Sequence, residues 1–199
     1  MVGIATLVAI IIGMPLGILL YVTDAGLILE NKFIRVVAGT ITNLIRSIPF
    51  IILLFLILPL TKVIAGSTIG VKGVIVPLVV YTAPYIARLM ETALLEVDRG
   101  VIEAYESMGI KTRQIIWHVM VREARPSLIL GLAIAIIGLI GATAMAGLVG
   151  AGGLGDLAYR FGHVRFEPEV MYASVIILII FVQAIQMLGN KYAAKIKKD

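Results

Sequence analysis

The sequence predicts an all-α integral membrane protein with five transmembrane helices, and three observations carry that prediction. Hydrophobic residues make up 60% of the 199 and charged residues only 15%, where a soluble domain carries about 25%. The charges are clustered, so five long runs carry none: residues 1–23, 47–61, 73–87, 127–155 and 170–190. The basic residues between those runs fall unevenly on the two sides the crossings define. Cysteine is absent, so no disulfide, thiolate metal site or cysteine nucleophile is available.

A helix needs about 20 mainly apolar residues to cross a bilayer. The first, fourth and fifth runs meet that length alone. The second and third must borrow flanks holding Lys62 and Lys72, which can snorkel to an interface. Pro49, Pro59, Pro77 and Pro84 punctuate these two runs. Backbone freed by proline is tolerated at membrane depth mainly where protein or a water-lined path satisfies it, so both are candidates for the interior of the bundle. Membrane helices are rich in proline anyway, and kinks that line nothing fit as well.

Sorting the bases by loop gives orientation. Lys32, Arg35, Arg46, Arg88, Arg99, Lys111, Arg113, Arg122, Arg125, Lys191, Lys195, Lys197 and Lys198 fall on one side, and Lys62, Lys72, Arg160 and Arg165 on the other, 13 against 4. The positive-inside rule puts the N-terminus outside, the tail 190–199 inside and the long loop 89–125 in the cytoplasm. Topology thus accounts for the net charge of +5 without nucleic acid. Met1 opens directly into apolar sequence with no basic segment before it, which argues against a signal peptide and is compatible with an earlier natural start.

The charge-free cores hold no ionisable relay of the kind ion-coupled carriers keep near the midplane. No G-x-x-x-x-G-K-[ST] stretch cradles a nucleotide phosphate, so ATP, if it drives this chain, is bound by a partner. His118 and His163 fall on opposite sides, without spaced carboxylates to complete a metal site. Gly150-Ala151-Gly152-Gly153-Leu154-Gly155 matches the dinucleotide fingerprint in letters, but it closes a 29-residue uncharged run rather than joining a strand to a helix. Its glycines suit left-handed backbone at the outer end of the fourth helix. A plain helix cap and a hinge beside a pathway fit equally.

Only residues 91–125 mix charged and apolar residues at helical spacing. Glu103-Ala104-Tyr105-Glu106-Ser107-Met108 forms a first short helix, Gly109 interrupts it, and residues 112–122 resume with Ile115, Ile116, Val119 and Met120 on one face. Arg113, Gln114 and Arg122 fall elsewhere. Ala104 and Gly109 are small enough for a partner to approach the backbone. A rigid lever gripped by that partner and a basic segment resting on anionic lipid fit the local chemistry equally.

Glu103-Ala104, Gly109, Ile115-Ile116 and Arg122-Glu123-Ala124-Arg125-Pro126 resemble the EAA loop of bacterial ABC-importer permeases, which docks the ATPase subunit. Tyr105 stands where a second alanine is usual, and Arg122 where the common leucine-proline pair has its proline. Arg46-Ser47-Ile48-Pro49-Phe50, Ala83-Pro84-Tyr85-Ile86-Ala87-Arg88, Ala144-Met145-Ala146-Gly147, Gly152-Gly153-Leu154-Gly155, Tyr159-Arg160-Phe161-Gly162, Arg165-Phe166 and Val170-Met171 are similar to the methionine branch of that family. The resemblance covers nearly the whole chain, short of an N-terminal extension the family usually has.

The resemblance implies a single type I permease domain over residues 1–199, with a coupling loop at 91–125, in a bacterial plasma membrane. It implies a homodimer, a pair of ATPase subunits that bind ATP and Mg, and an extracytoplasmic methionine-binding protein. The chain itself holds no cofactor and performs no covalent chemistry. Glu103, Ala104, Gly109, Ile115, Ile116, Arg122 and Glu123 are the expected docking residues. Met145, Ala142 and Ala146 are candidates for a soft, apolar path for a thioether, with Met145 as a gate at the dimer axis or as a filler between helices. Gly138, Gly141, Ala142 and Ala146 recur at close-packing spacing, toward either a second subunit or helices of the same chain. A permease for another amino acid or small polar solute, and a membrane scaffold, are the alternatives.

Overall fold

The computed structural model describes residues 1–197; Lys198 and Asp199, the end of the expected tail, lie outside the described residues. The chain forms α1 (Val2–Val22), α2 (Lys32–Ser47), α3 (Phe50–Leu56), α4 (Leu58–Ala65) and α5 (Gly70–Leu95). A loop follows with α6 (Arg99–Ser107), α7 (Thr112–Gln114), a π-helical stretch Ile115–Met120 and α8 (Val121–Glu123). Next come α9 (Arg125–Thr143), which tightens into a 3₁₀ turn at Ala144–Val149, then α10 (Leu154–Leu157), a second π stretch Ala158–Val164 and α11 (Pro168–Ile196). No strand occurs among the described residues.

α1, α5, α9 with its 3₁₀ extension, and α11 are each long and apolar enough to cross a membrane, and α2 with α3 meets the same test only as a pair, bent by 105°. α5 is the axis: α1, α2, α3, α4 and α9 all pack against it, and 61% of its apolar window is buried. Its closest neighbour is α1, through Gly13 and Gly17. A Cβ on Gly17 would lie 2.5 Å from the Ala87 carbonyl oxygen and 2.5 Å from Met90 Cβ, and one on Gly13 would lie 2.6 Å from the Ala83 carbonyl oxygen. Between helices in lipid, where burial from water supplies no drive, such close backbone contact supplies the attraction.

Three apolar clusters stack along α5. Phe50, Leu54, Val74, Leu78 and Leu139 fill the far end; Ala9, Ala83, Ile86 and Ala135 the middle; Tyr21, Met90, Leu94, Ile115 and Met120 the loop end. α11 packs on α9, with Gly189 against Ala133, and on α10 and the second π stretch, with Gly162 against Met171; most of its other large apolar side chains stand exposed.

Three sequence expectations are corrected. Residues 32–47 form a helix rather than a loop; Asn31 caps it, its side chain accepting from the Ile34 N–H at 3.1 Å. The second span is broken at Ile48-Pro49 and again at Ile57, and its apolar residues Ile52, Leu56, Val63 and Ile64 stand exposed. Of the two proline-punctuated runs, only the third lies inside the chain. Finally, α5 continues to Leu95, so Arg88 and Glu91 belong to a spanning helix and the expected loop begins at Glu96. The described part of the tail is helical to Ile196.

Candidate functional site

The loop between α5 and α9 is built of short helices packed on the bundle. Its first helix, α6, is capped by the Asp98 carboxylate, which accepts from the Gly100 N–H at 2.6 Å. It ends at Gly109, whose φ is +72°. The Gly109 N–H donates to the Glu106 carbonyl at 2.9 Å and the Ile110 N–H to the Tyr105 carbonyl at 3.3 Å. This is the Schellman pairing, which requires left-handed backbone at its glycine.

Residues 112–123 then turn Ile115, Ile116, Val119 and Met120 inward, against Tyr21, Met90, Leu94 and Leu128. The base of the loop is closed by Ser127, whose hydroxyl donates to the Glu96 carboxylate. An open groove of about 1260 Å³ runs between this body and the end of α11, with Glu96, Tyr105, His118, Arg122 and Asn190 on its walls.

Of the expected docking residues, Glu103, Ala104, Gly109, Arg122 and Glu123 are exposed. Ile115 and Ile116 are not, being 1% and 8% exposed. They anchor the loop to the bundle instead of facing a partner, because the apolar face that the spacing revealed is the one turned to the chain's own core. The open side carries Arg113, Gln114, Trp117 and His118.

At the far end, the residues proposed for a path divide. Ala142 and Ala146 are 7% and 0% exposed and pack with Phe50, Leu54 and Leu139. Met145 is 44% exposed, in line with exposed Ile134, Gly138, Gly141 and Leu148. A Cβ on Gly138 or Gly141 would meet nothing within 4 Å. The small-residue stripe therefore has two faces: Ala142 and Ala146 fit the chain's own core, while Gly138 and Gly141 lie open beside Met145.

Beyond Met145 the chain turns through Gly150, Gly152 and Gly153, all at positive φ, as the glycine run predicts. The segment after it is pinned by Asp156, 4% exposed, which packs so closely on Gly147 that a Cβ there would lie 2.5 Å from its Oδ1. Arg160 donates to the same carboxylate from Nε at 2.9 Å. That hydrogen bond, and then the opposite charge, hold the Arg160 guanidinium above its ordinary pKa.

Sequence reading missed a polar layer between α2 and α5. Arg35 pairs with Asp24 at 3.2 Å and with Glu91 at 2.7 Å. Arg88 pairs with Glu91 at 2.5 Å and donates to Asn43 Oδ1 at 3.2 Å. Arg46 lies over the Tyr85 ring, 5.7 Å from its centroid. The signal was present: Arg35, Asn43 and Arg46 fall at helical spacing on one face, with Phe33, Val37, Ile41 and Leu44 exposed on the other. This helix is polar toward the protein and apolar outward, the inverse of a soluble surface helix, so a search for charge-free runs passes over it.

A bundle of long apolar helices that displays a folded loop at one end has the architecture of a multi-pass membrane protein. Residues 6–191 match the family described as "Binding-protein-dependent transport system inner membrane component", and the chain belongs to it. The "Probable D-methionine transport system permease protein MetI" of Vibrio cholerae is 42% identical over 196 residues, 98% of this chain and 87% of that one. The "Methionine import system permease protein MetP" of Bacillus subtilis is 44% identical over 172 residues, 86% of this chain and 78% of that one. A solved structure of inward-facing conformations of the MetNI methionine ABC transporter is similar at a TM-score of 0.95 and 42% identity, over 98% of this chain and 90% of that one. The type I importer fold implied by the docking-loop motif is the fold of this chain.

Proposed function

We propose that this chain is the membrane-spanning subunit of an ATP-driven importer of methionine, of either hand, in a bacterial inner membrane. It works as a homodimer with two ATPase subunits, which bind ATP and Mg, and receives substrate from an extracytoplasmic binding protein. The observation that carries the reading is the likeness along 98% of the chain to the permease of a methionine transporter. The bias of bases toward the loop end supports an external N-terminus and a cytoplasmic C-terminus.

The geometry supplies a mechanical route. Glu103, Ala104, Gly109, Arg122 and Glu123 present an exposed, partly charged surface at the loop end, and the apolar cluster beneath them joins that surface to α1, α5 and α9. An ATPase that moves on binding ATP therefore displaces the spans as one body rather than bending a loop. Met145 stands on the open face of α9, where a soft thioether closes a path between two copies without holding the cargo tightly.

The test is reconstitution in vesicles with the ATPase and the binding protein. ATP-dependent accumulation of methionine is the expected result. Accumulation of another amino acid in its place retires the substrate; assembly without any effect on ATP hydrolysis points to a scaffold.

A further inference from the structure

The charges between α2 and α5 do not cancel. Arg35 is shared between Asp24 and Glu91, and Arg88 between Glu91 and Asn43. Arg46 has no carboxylate partner among the described residues and meets only the face of Tyr85. It is exposed, as are Asn43 and Ser47 beside it.

Its depth follows from the packing. Tyr85 lies between Ala83 and Ala87, whose carbonyls face Gly13 and Gly17 of α1. At 1.5 Å per residue, those glycines are about 8–14 Å from the loop end of α1 at Val22. Arg46 is therefore a lone cation within the spanning layer. At that depth charge is expensive against lipid, and ionisable groups face a bundle interior or an aqueous path. The apolar residues of α2 take the outward face, which leaves Arg46 on the side of α5.

We propose that Arg46, with Asn43 beside it, is a transient binding point for the α-carboxylate of the amino acid in transit. This rests on the reading of the chain as a methionine permease and adds a site to it. A guanidinium offers a planar fork matched to a carboxylate, and Tyr85 stacking holds that fork without neutralising it. The Asn43 amide oxygen is engaged by Arg88, which leaves its NH₂ as a second donor. Among the described residues no free carboxylate stands nearby for the ammonium group, since Glu91 is buried and doubly paired. The contact is one-ended, and one-ended contacts release.

A purely structural role is the competing explanation, because Arg46 also sits in the last turn of α2, where a cation complements the helix end. The experiment separates the two in the complete complex in vesicles, by measuring methionine taken up per ATP hydrolysed. Arg46→Gln is expected to assemble and to hydrolyse ATP within about twofold of the parent while uptake per ATP falls at least fivefold; Arg46→Lys should retain an intermediate ratio.

Because the chain contains no cysteine, Arg46→Cys introduces a thiol unique within it. Treatment with a cationic aminoethyl thiosulfonate should restore uptake per ATP, and a neutral methyl reagent should not. Unchanged uptake per ATP in Arg46→Gln, uptake and hydrolysis falling in proportion in every variant, or equal rescue by both reagents overturns the proposal. A parent complex that takes up no methionine overturns the underlying reading and this one together.

Discussion

Glu91 of α5 and Arg35 of α2 are joined at 2.7 Å, with the Glu91 side chain only 5% exposed. The same carboxylate holds Arg88 of its own helix, so one acid fixes an oblique helix to the axis of the bundle. Removing one member of a fully buried pair costs about 3–5 kcal/mol, an upper bound here because Arg35 keeps Asp24 and Arg88 keeps Asn43. Glu91→Ala is expected to destabilise the purified protein by up to that amount, read as a fall in thermal midpoint. Arg35→Ala should cost less, since Glu91 keeps Arg88. The double variant should fall short of the sum, because the two side chains share one network; strict additivity speaks against it.

Gly109 holds the turn on which the loop's shape depends. Its φ of +72° is available to other residues only at about 1–2 kcal/mol, and proline cannot adopt it or supply the N–H given to Glu106. Gly109→Ala should leave the protein folded with weakened transport. Gly109→Pro should uncouple ATP hydrolysis from methionine uptake in an assembled complex. Uptake at the parent rate in the assembled proline variant refutes the rigid loop as the transmitting element.

Much of this architecture is legible in sequence because lipid imposes a single demand on it. Charge-free runs mark α1, α9 and α11, and the placement of Ile115, Ile116, Val119 and Met120 marks the seated face of the loop. The exceptions have one cause. α2 was hidden because Lys32, Arg35 and Arg46 interrupt its hydropathy, and the groups that accommodate two of them, Glu91 and Tyr85, lie on a helix distant in sequence. Ala142 and Ala146 had the right size for a path, but size does not say which way a helix face turns. That depends on Phe50 and Leu54, against which they pack.

The same distinction makes the glycines informative. Gly17 is closed by Ala87 and Met90, whereas Gly138 has open space around its Cβ position. Gly17→Leu is expected to overpack the α1 and α5 contact, at about 1–3 kcal/mol or more, and to reduce the yield of folded protein. Gly138→Leu should leave the single chain folded and instead weaken the dimer, measured by crosslinking in membranes. A Gly138→Leu protein as dimeric as the parent places the subunit interface elsewhere.

Met145 is the one of three small or soft residues at its end of α9 whose side chain stands open, at 44% exposure, on a 3₁₀ turn ended by Gly150 in the left-handed region. A flexible thioether closes an irregular gap that alanine leaves empty. Met145→Ala should therefore raise ATP-independent leak of a small solute from vesicles, with little change in thermal stability because the side chain is not part of the core. Ala146→Leu should do the reverse, lowering stability through its contacts with the far-end cluster. Should Met145→Ala destabilise the fold and leave permeability untouched, the residue is a filler between helices and the closure of the path belongs to another part of α9.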